Sequence, residues 1–317
     1  MKISRNDIQI ITRNSNISET DINNLFKHDV YNNNDSWKKF LQLFFLSLGV
    51  GFTVSGILFF FAYNWDDLHK FVKIGLVEGL IIILTLIAVL SKIKPLFKNI
   101  LLSGATLLVG VLFAVFGQIY QTGANAYDFF LGWTMAVVLW VFISNFTPLW
   151  LIFIVLINIT FGLYIDQVAN DWSDLLIFSI FITVNAVFLI GSLLLKSDNN
   201  KIPKWFIQIL SLAVVSFTTI GMINGIFEHN KSYFELIIIL TLLLYILGIY
   251  YGLKQKSTFY IAIIPLSIIT IISAWLLDFV KFREFTMLLF IGLIVVVSVT
   301  ILIKLLMNLQ KQWNNED

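Results

Sequence analysis

The sequence predicts an all-α, polytopic transmembrane helical bundle of about ten spans, with the N-terminus and the C-terminus inside the cell. Of the 317 residues, 58% are hydrophobic and only 13% are charged, and the mean hydropathy is +0.88. Apolar runs of about 20 residues, the length that a bilayer core requires of a helix, recur along most of the chain. Because a soluble domain carries roughly 25% charged residues, this composition excludes a soluble globular fold, and its hydrophobicity excludes a disordered chain.

The first element is a polar segment, residues 1–39, that precedes every apolar run. Ile8 and Ile11 stand at helical spacing, and a second apolar group including Leu25 and Phe26 follows a stretch that resembles a helix cap. We therefore expect two short amphipathic helices here and no cleavable signal peptide. Such a segment either packs on the membrane surface or docks a cytosolic protein, and both interpretations stay open.

Ten apolar runs follow and define a transmembrane domain over residues 40–308, with a cytoplasmic tail over residues 309–317. The runs occupy residues 40–63, 71–90, 100–120, 129–144, 149–165, 175–195, 205–227, 233–251, 259–277 and 285–306. The fourth and fifth runs are separated by only four residues, but together they are too long for one helix across about 30 Å of hydrocarbon. They are therefore predicted to form a hairpin of two spans.

The distribution of basic residues sets the predicted orientation. With the N-terminus inside, 16 of the 21 Lys and Arg residues fall on the inner side of the membrane and 5 on the outer side. Cytoplasmic loops of membrane proteins carry such an excess, so we expect a multi-pass protein of the cell (inner) membrane. The net charge of only +2 and the absence of a long basic run argue against nucleic acid as a partner.

The sequence offers no familiar catalytic apparatus. It has no cysteine, its three histidines are isolated outside the predicted spans, and no HExxH, GxSxG or Walker A pattern occurs. We therefore expect no metal and no cofactor. An intramembrane enzyme acting on lipid or glycan would need Glu78 within about 5 to 10 Å of Asp66 or Asp128, so enzymatic activity stays open but is not favoured.

Glu78 is the single acid well inside an apolar run, about seven residues, or roughly 10 Å, from the outer start of the second span. A charged group placed deep in a membrane costs on the order of 2.5 to 3.5 kcal/mol, so such a residue is a candidate for function or for locking two helices together. The neighbouring Gly75 and Gly79 predict that this part of the helix faces protein. Lys73 lies about 140° away around the helix and is expected to extend towards the outer surface.

Ten residues from the first four spans and their loops are expected at the outer half of the membrane, where they would form an outward-facing polar pocket with Glu78 at its floor. These candidate ligand-binding residues are Asn64, Trp65, Asp66, Lys73, Glu78, Gln118, Tyr120, Gln121, Asp128 and Trp133. Asn158, Asn185 and Asn224, which lie inside later spans, are instead predicted to form hydrogen bonds between helices.

Four short motifs carry a resemblance to a known family. They are Ala62-Tyr63-Asn64-Trp65 at the end of the first span, the early Lys73 of the second, Gln118-Ile119-Tyr120-Gln121 at the end of the third, and Asp128 to Trp133 at the start of the fourth. Together they resemble domain of unknown function family 2157, over roughly the first half of the chain. The resemblance implies an integral membrane protein of bacterial envelopes and supplies no mechanism.

Two functions from different classes follow from these observations. The first is a protein that binds or passes a small polar or amphipathic solute, or a lipid, through the outward-facing pocket without ATP. The alternative is a non-catalytic scaffold or sensor that docks a cytosolic partner through residues 1–39.

Overall fold

A computed structural model describes residues 34–63, 68–120, 123, 125–195, 202–229, 231–280 and 285–316. The two predicted N-terminal helices lie outside the described residues. Within the described ranges every regular element is a helix, and ten helices are long and apolar enough to cross a membrane. The predicted all-α fold and the number of spans are therefore confirmed.

The chain divides into two compact units, Met1–Gln121 and Thr122–Asp317. The described helices of the first unit are α1 (Asn34–Tyr63), α2 (Lys70–Leu90) and α3 (Pro95–Tyr120). Helix α3 packs against both α1 and α2. Their shared core is apolar, with Val77 of α2 and Leu108 of α3 almost completely buried.

Close packing of α1 and α3 depends on the small side chain at Gly104. A Cβ atom added there would lie 2.6 Å from Cγ1 of Val50, so any larger residue would force the Val50 side chain or its helix to shift. Around Gly75 and Gly79, by contrast, an added Cβ would meet no described atom within 4 Å. No described helix of the first unit therefore comes close to this pair, and the expectation that this part of α2 faces protein stays a prediction.

The described helices of the second unit are α4 (Ala126–Ser144), α5 (Thr147–Gln167), α6 (Asp174–Leu194), α7 (Lys204–Phe227), α8 (Phe234–Lys254), α9 (Thr258–Val280) and α10 (Phe285–Glu316). Helices α4 and α5 form the predicted hairpin. Asn145 ends α4 in the left-handed conformation, with φ 45° and ψ 39°, which asparagine tolerates better than most residues. Pro148 follows in the first turn of α5, where a missing N–H costs no helical hydrogen bond.

Helix α9 organises the rest of the second unit, because it packs against α7, α8 and α10. Helix α6 packs against α7, and α8 also contacts α6 and α7. Helix α10 continues without a break to Glu316, so residues 309–316 of the predicted tail prolong the last span as a helix.

Two of the three intramembrane asparagines pair as predicted. Nδ2 of Asn185 donates to Oδ1 of Asn158 over 2.7 Å, and Nδ2 of Asn158 donates back to Oδ1 of Asn185 over 3.3 Å. This reciprocal amide pair joins α5 to α6 near the middle of both helices. The prediction fails for Asn224, whose amide instead donates to the carbonyl oxygen of Ile220, one turn earlier in its own helix.

Candidate functional site

The ten predicted ligand-binding residues divide into three groups. Four lie outside the described residues: Asn64, Trp65, Asp66 and Gln121. Four lie in the first unit: Lys73, Glu78, Gln118 and Tyr120. Two lie on α4 of the second unit: Asp128 and Trp133.

Glu78 lines a groove between α2 and α3, which we call the Glu78 groove. The groove has a volume of about 360 Å³, within the range of small-ligand sites. Its lining consists of one carboxylate, one tyrosine, three phenylalanines and two aliphatic side chains: Phe71, Ile74, Glu78, Leu112, Phe113, Phe116 and Tyr120. The walls are therefore mainly aromatic and apolar.

Helical periodicity explains this lining. On α2, Phe71, Ile74 and Glu78 are spaced by three and four residues, so they share one face. On α3, Leu112, Phe116 and Tyr120 follow one another at intervals of four residues, and the rings of the last two lie 4.5 Å apart between centroids. The groove forms where these two faces meet.

Glu78 lies at one end of the groove and Phe71 and Tyr120 at the other. Phe71 is in the first turn of α2 and Tyr120 is the last residue of α3, so this end of the groove opens at the helix ends. Seven residues separate Phe71 from Glu78, which is about 10 Å along the helix axis. Glu78 therefore lies at the deep end of the groove, that is, the end further from the point where the groove opens at the helix ends.

The Glu78 carboxylate has no hydrogen bond or ion pair with any part of the chain that the structure describes. Its side chain is exposed in the first unit, beside the aromatic rings of the groove. A carboxyl group that locks two helices together would hydrogen-bond to the neighbouring helix. The contacts of Glu78 within the first unit give no support to that structural interpretation.

Lys73 occupies the opposite face of α2 from the groove. It is only 6% exposed, and it lies one turn before the fully buried Val77. The expectation that Lys73 extends to the outer surface is therefore wrong. The Lys73 side chain is therefore buried and does not line the Glu78 groove.

Gln118 is also separated from the groove. It lies two residues after Phe116, which rotates its side chain by about 200° around α3, and it is exposed on that other face. Of the four predicted residues described in the first unit, the structure brings together only Glu78 and Tyr120 in this groove.

Asp128 and Trp133 make local contacts within the second unit. The backbone N–H of Asn125 donates to Oδ2 of Asp128 over 3.1 Å, which completes a capping box at the start of α4. The backbone N–H of Tyr127, two residues later, donates to Oε1 of Gln167 over 3.0 Å and ties α4 to the end of α5. The ring of Trp133 lies against Phe130, with 5.6 Å between centroids.

A buried cluster of hydroxyl groups in the second unit did not emerge from the sequence. The Tyr245 hydroxyl on α8 lies 3.1 Å from Oγ1 of Thr218 on α7 and hydrogen-bonds to Ser267 on α9, which also contacts Thr219 at 2.5 Å. One feature of the sequence does indicate a buried polar contact here: Tyr245 is in the middle of a span, whereas tyrosines of membrane proteins usually lie near span ends. Because these hydroxyls satisfy one another, the cluster holds α7, α8 and α9 together.

Comparison with known protein families places part of the chain in a family. The model of a family described as predicted membrane protein (DUF2157) matches residues 15–150, about the first half of the chain. No curated protein and no solved structure shows significant similarity to the chain. Nowhere among the described residues do three or more His, Asp or Glu side chains lie close enough together to hold a metal ion. The resemblance carried by the four motifs is therefore confirmed: residues 15–150, which include the whole Glu78 groove, match the predicted membrane protein family DUF2157.

Proposed function

We propose that the protein resides in the bacterial inner membrane and binds a small amphipathic solute in the Glu78 groove, with its charged end at Glu78. The observation that carries this proposal is a carboxylate, without a bonding partner among the described residues, at the deep end of a groove whose other lining residues are aromatic or apolar. Such a carboxylate needs a partner in a membrane, and a bound ligand can supply one.

The lining favours a cationic solute with an apolar body. Glu78 is the one charged residue among the described residues that line the groove. The faces of Phe113 and Phe116 attract cations through the ring quadrupole, and the same rings offer apolar surface to a hydrocarbon body. An amine or a quaternary ammonium ion with an apolar substituent satisfies both requirements.

A single carboxyl group also supports passage of the solute without ATP. Glu78 can hold either a proton or a cationic solute, and the two compete for one negative charge. Alternate occupation of this kind couples solute movement to proton movement. The proposal therefore includes a carrier that exchanges a cation for a proton.

Binding of tetraphenylphosphonium by the full chain in lipid nanodiscs tests the proposal. We expect saturable binding above that of empty nanodiscs, and we expect none for tetraphenylborate, which has nearly the same shape and the opposite charge. Replacement of the carboxylate in Glu78→Gln should weaken tetraphenylphosphonium binding about tenfold, the equivalent of one charged contact. Asp171→Asn, in the exposed loop before α6, removes an equal charge away from the groove and should leave affinity unchanged.

Two results would overturn the proposal. One is equal affinity of Glu78→Gln and the unaltered protein for tetraphenylphosphonium. The other is equal binding of the cation and the anion, because aromatic walls alone would then account for the affinity. An unchanged midpoint of thermal unfolding for Glu78→Gln excludes loss of folding as the cause of weaker binding.

A further inference from the structure

A second groove lies wholly within the second unit, at the end where α7 finishes, α8 begins and α9 finishes. We call it the Lys231 groove. Its volume is about 320 Å³. The apolar lining includes Ile226, Ile271 and Ile272, and the charged lining consists of Lys231 and Asp278. The groove is therefore an apolar channel with one cation and one anion at its mouth.

The two charges are available to a ligand. Both side chains are exposed, and no ion pair joins Lys231 to Asp278 within the described residues. Nζ of Lys231 lies 5.7 Å above the ring centroid of Phe234, an arrangement that holds the ammonium group over the groove. Opposite charges that line one groove without pairing are complementary to a molecule that carries both signs.

The position of the groove matches the level of lipid headgroups. Asp278 is in the last turn of α9, and Lys231 is three residues before the start of α8, so both lie at helix ends where a membrane surface would be. Trp275 also lines the groove and is 53% exposed, as is typical of the aromatic side chains that lie at a membrane interface. Ile271 and Ile272 lie six to seven residues before Asp278 on α9, on the side of the hydrocarbon.

We propose that the Lys231 groove binds one phospholipid whose headgroup carries a phosphate and a primary ammonium, the chemistry of phosphatidylethanolamine. Lys231 donates to the phosphate and Asp278 accepts from the ammonium. The start of an acyl chain lies along Ile271 and Ile272, where it replaces water or loose lipid next to apolar side chains. A membrane lipid fits better than a soluble zwitterion, because the groove joins a charged mouth to an apolar wall.

Competition among lipids with identical acyl chains tests this assignment. The full chain in detergent is mixed with equal amounts of phosphatidylethanolamine, phosphatidylcholine and phosphatidylglycerol, and bound lipid is counted by native mass spectrometry. We expect a preference of roughly 2- to 10-fold for phosphatidylethanolamine, since the choline headgroup lacks N–H donors and the glycerol headgroup lacks the cation. Asp278→Asn should abolish this preference, and Lys231→Met should weaken binding of all three lipids.

Matched controls locate the effect. Asp171→Asn and Lys204→Met remove exposed charges that do not line the groove, and both should keep the preference for phosphatidylethanolamine. Excess soluble phosphoethanolamine should not displace the lipid. Equal binding of the three lipids, an unchanged preference in Asp278→Asn, or displacement by phosphoethanolamine would each overturn the proposal. The midpoint of thermal unfolding of each variant separates a lost contact from a lost fold.

Discussion

The surroundings of Glu78 in the first unit and the buried hydroxyl cluster of the second unit use polar groups in opposite ways. In the second unit, hydroxyls on three helices bond to one another, and Tyr245 and Ser267 are almost fully buried. In the first unit, the Glu78 carboxylate lines a groove and has no partner among the described residues. Hydrogen-bonding capacity that is satisfied inside a bundle stabilises the fold, whereas unused capacity at a groove is available for recognition.

The glycines near these two sites also differ: those in the second unit are closely packed against neighbouring side chains, whereas those beside Glu78 are not. In the second unit, a Cβ added at Gly225 would lie 2.1 Å from the Phe234 ring, and one added at Gly248 would lie 2.6 Å from Ile264. Close to Glu78, a Cβ added at Gly75 or Gly79 would meet no described atom within 4 Å. Glycine spacing alone does not tell these situations apart, since only the neighbouring helix decides whether the small residue is needed.

The largest expected effect on stability comes from Gly225→Ala. The new methyl group must displace the Phe234 ring, so we expect a loss of about 1–3 kcal/mol in the free energy of unfolding. The matched variant Gly75→Ala meets open space in a helix and should gain about 0.5–1 kcal/mol. Steric trapping in bicelles measures both values, and a loss of stability in Gly75→Ala would contradict the difference between the two regions.

Asn185→Ala should have the next largest effect. It leaves the amide of Asn158 without its partner on α6 and opens space at a side chain that is 1% exposed. The expected loss is about 1–2 kcal/mol in the free energy of unfolding. Asn224→Ala removes a bond within one helix only and should cost less. Equal losses in the two variants would show that the amide pair between α5 and α6 contributes nothing to the free energy of unfolding beyond a bond within one helix.

Tyr245→Phe tests the hydroxyl cluster with a smaller change. It removes one hydroxyl group from the contacts with Thr218 and Ser267 and keeps the ring, so we expect a loss of about 0.5–1.5 kcal/mol. Tyr250→Phe is a suitable control, because Tyr250 is 63% exposed. The free energy of unfolding measured in the same bicelles distinguishes the variants, and the absence of any difference would mean that the cluster does not stabilise the unit.

Glu78→Gln should have the smallest effect on stability. The carboxylate makes no bond with the described residues that the amide would lose, so the midpoint of thermal unfolding should not change measurably in detergent without ligand. Added tetraphenylphosphonium should raise the midpoint of the unaltered protein more than that of the variant, because a ligand stabilises the state that binds it. A large loss of stability without ligand would instead assign Glu78 a structural role.

Much of the fold could be predicted from local pattern. The ten apolar runs became ten helices, and the split between the fourth and fifth spans coincides with the left-handed Asn145. The amide pair of Asn158 and Asn185 was also predictable, because an amide in hydrocarbon requires a partner. The pattern misjudged Lys73: its proximity to a span end suggested that it extends outwards, whereas its side chain is only 6% exposed.

The candidate site was predicted less completely. Glu78 and Tyr120 do line one groove, but Gln118 shares a helix with Tyr120 and lies on its other face. A shared level along the membrane normal does not bring two side chains together, because rotation around each helix can place them on different faces. The mainly aromatic character of the groove, with Phe71, Phe113 and Phe116, also could not be anticipated without knowing that α2 and α3 pack together.

The amino-acid sequence by itself determined the class of protein and the number of spans. A bilayer core leaves every backbone polar group to be satisfied within a helix, so length and hydrophobicity are sufficient to define each span. Only the tertiary structure decided which polar groups satisfy one another and which face open grooves. Helical period fixes the residues that share a face, but the identity of the helix that covers the face depends on packing between distant segments.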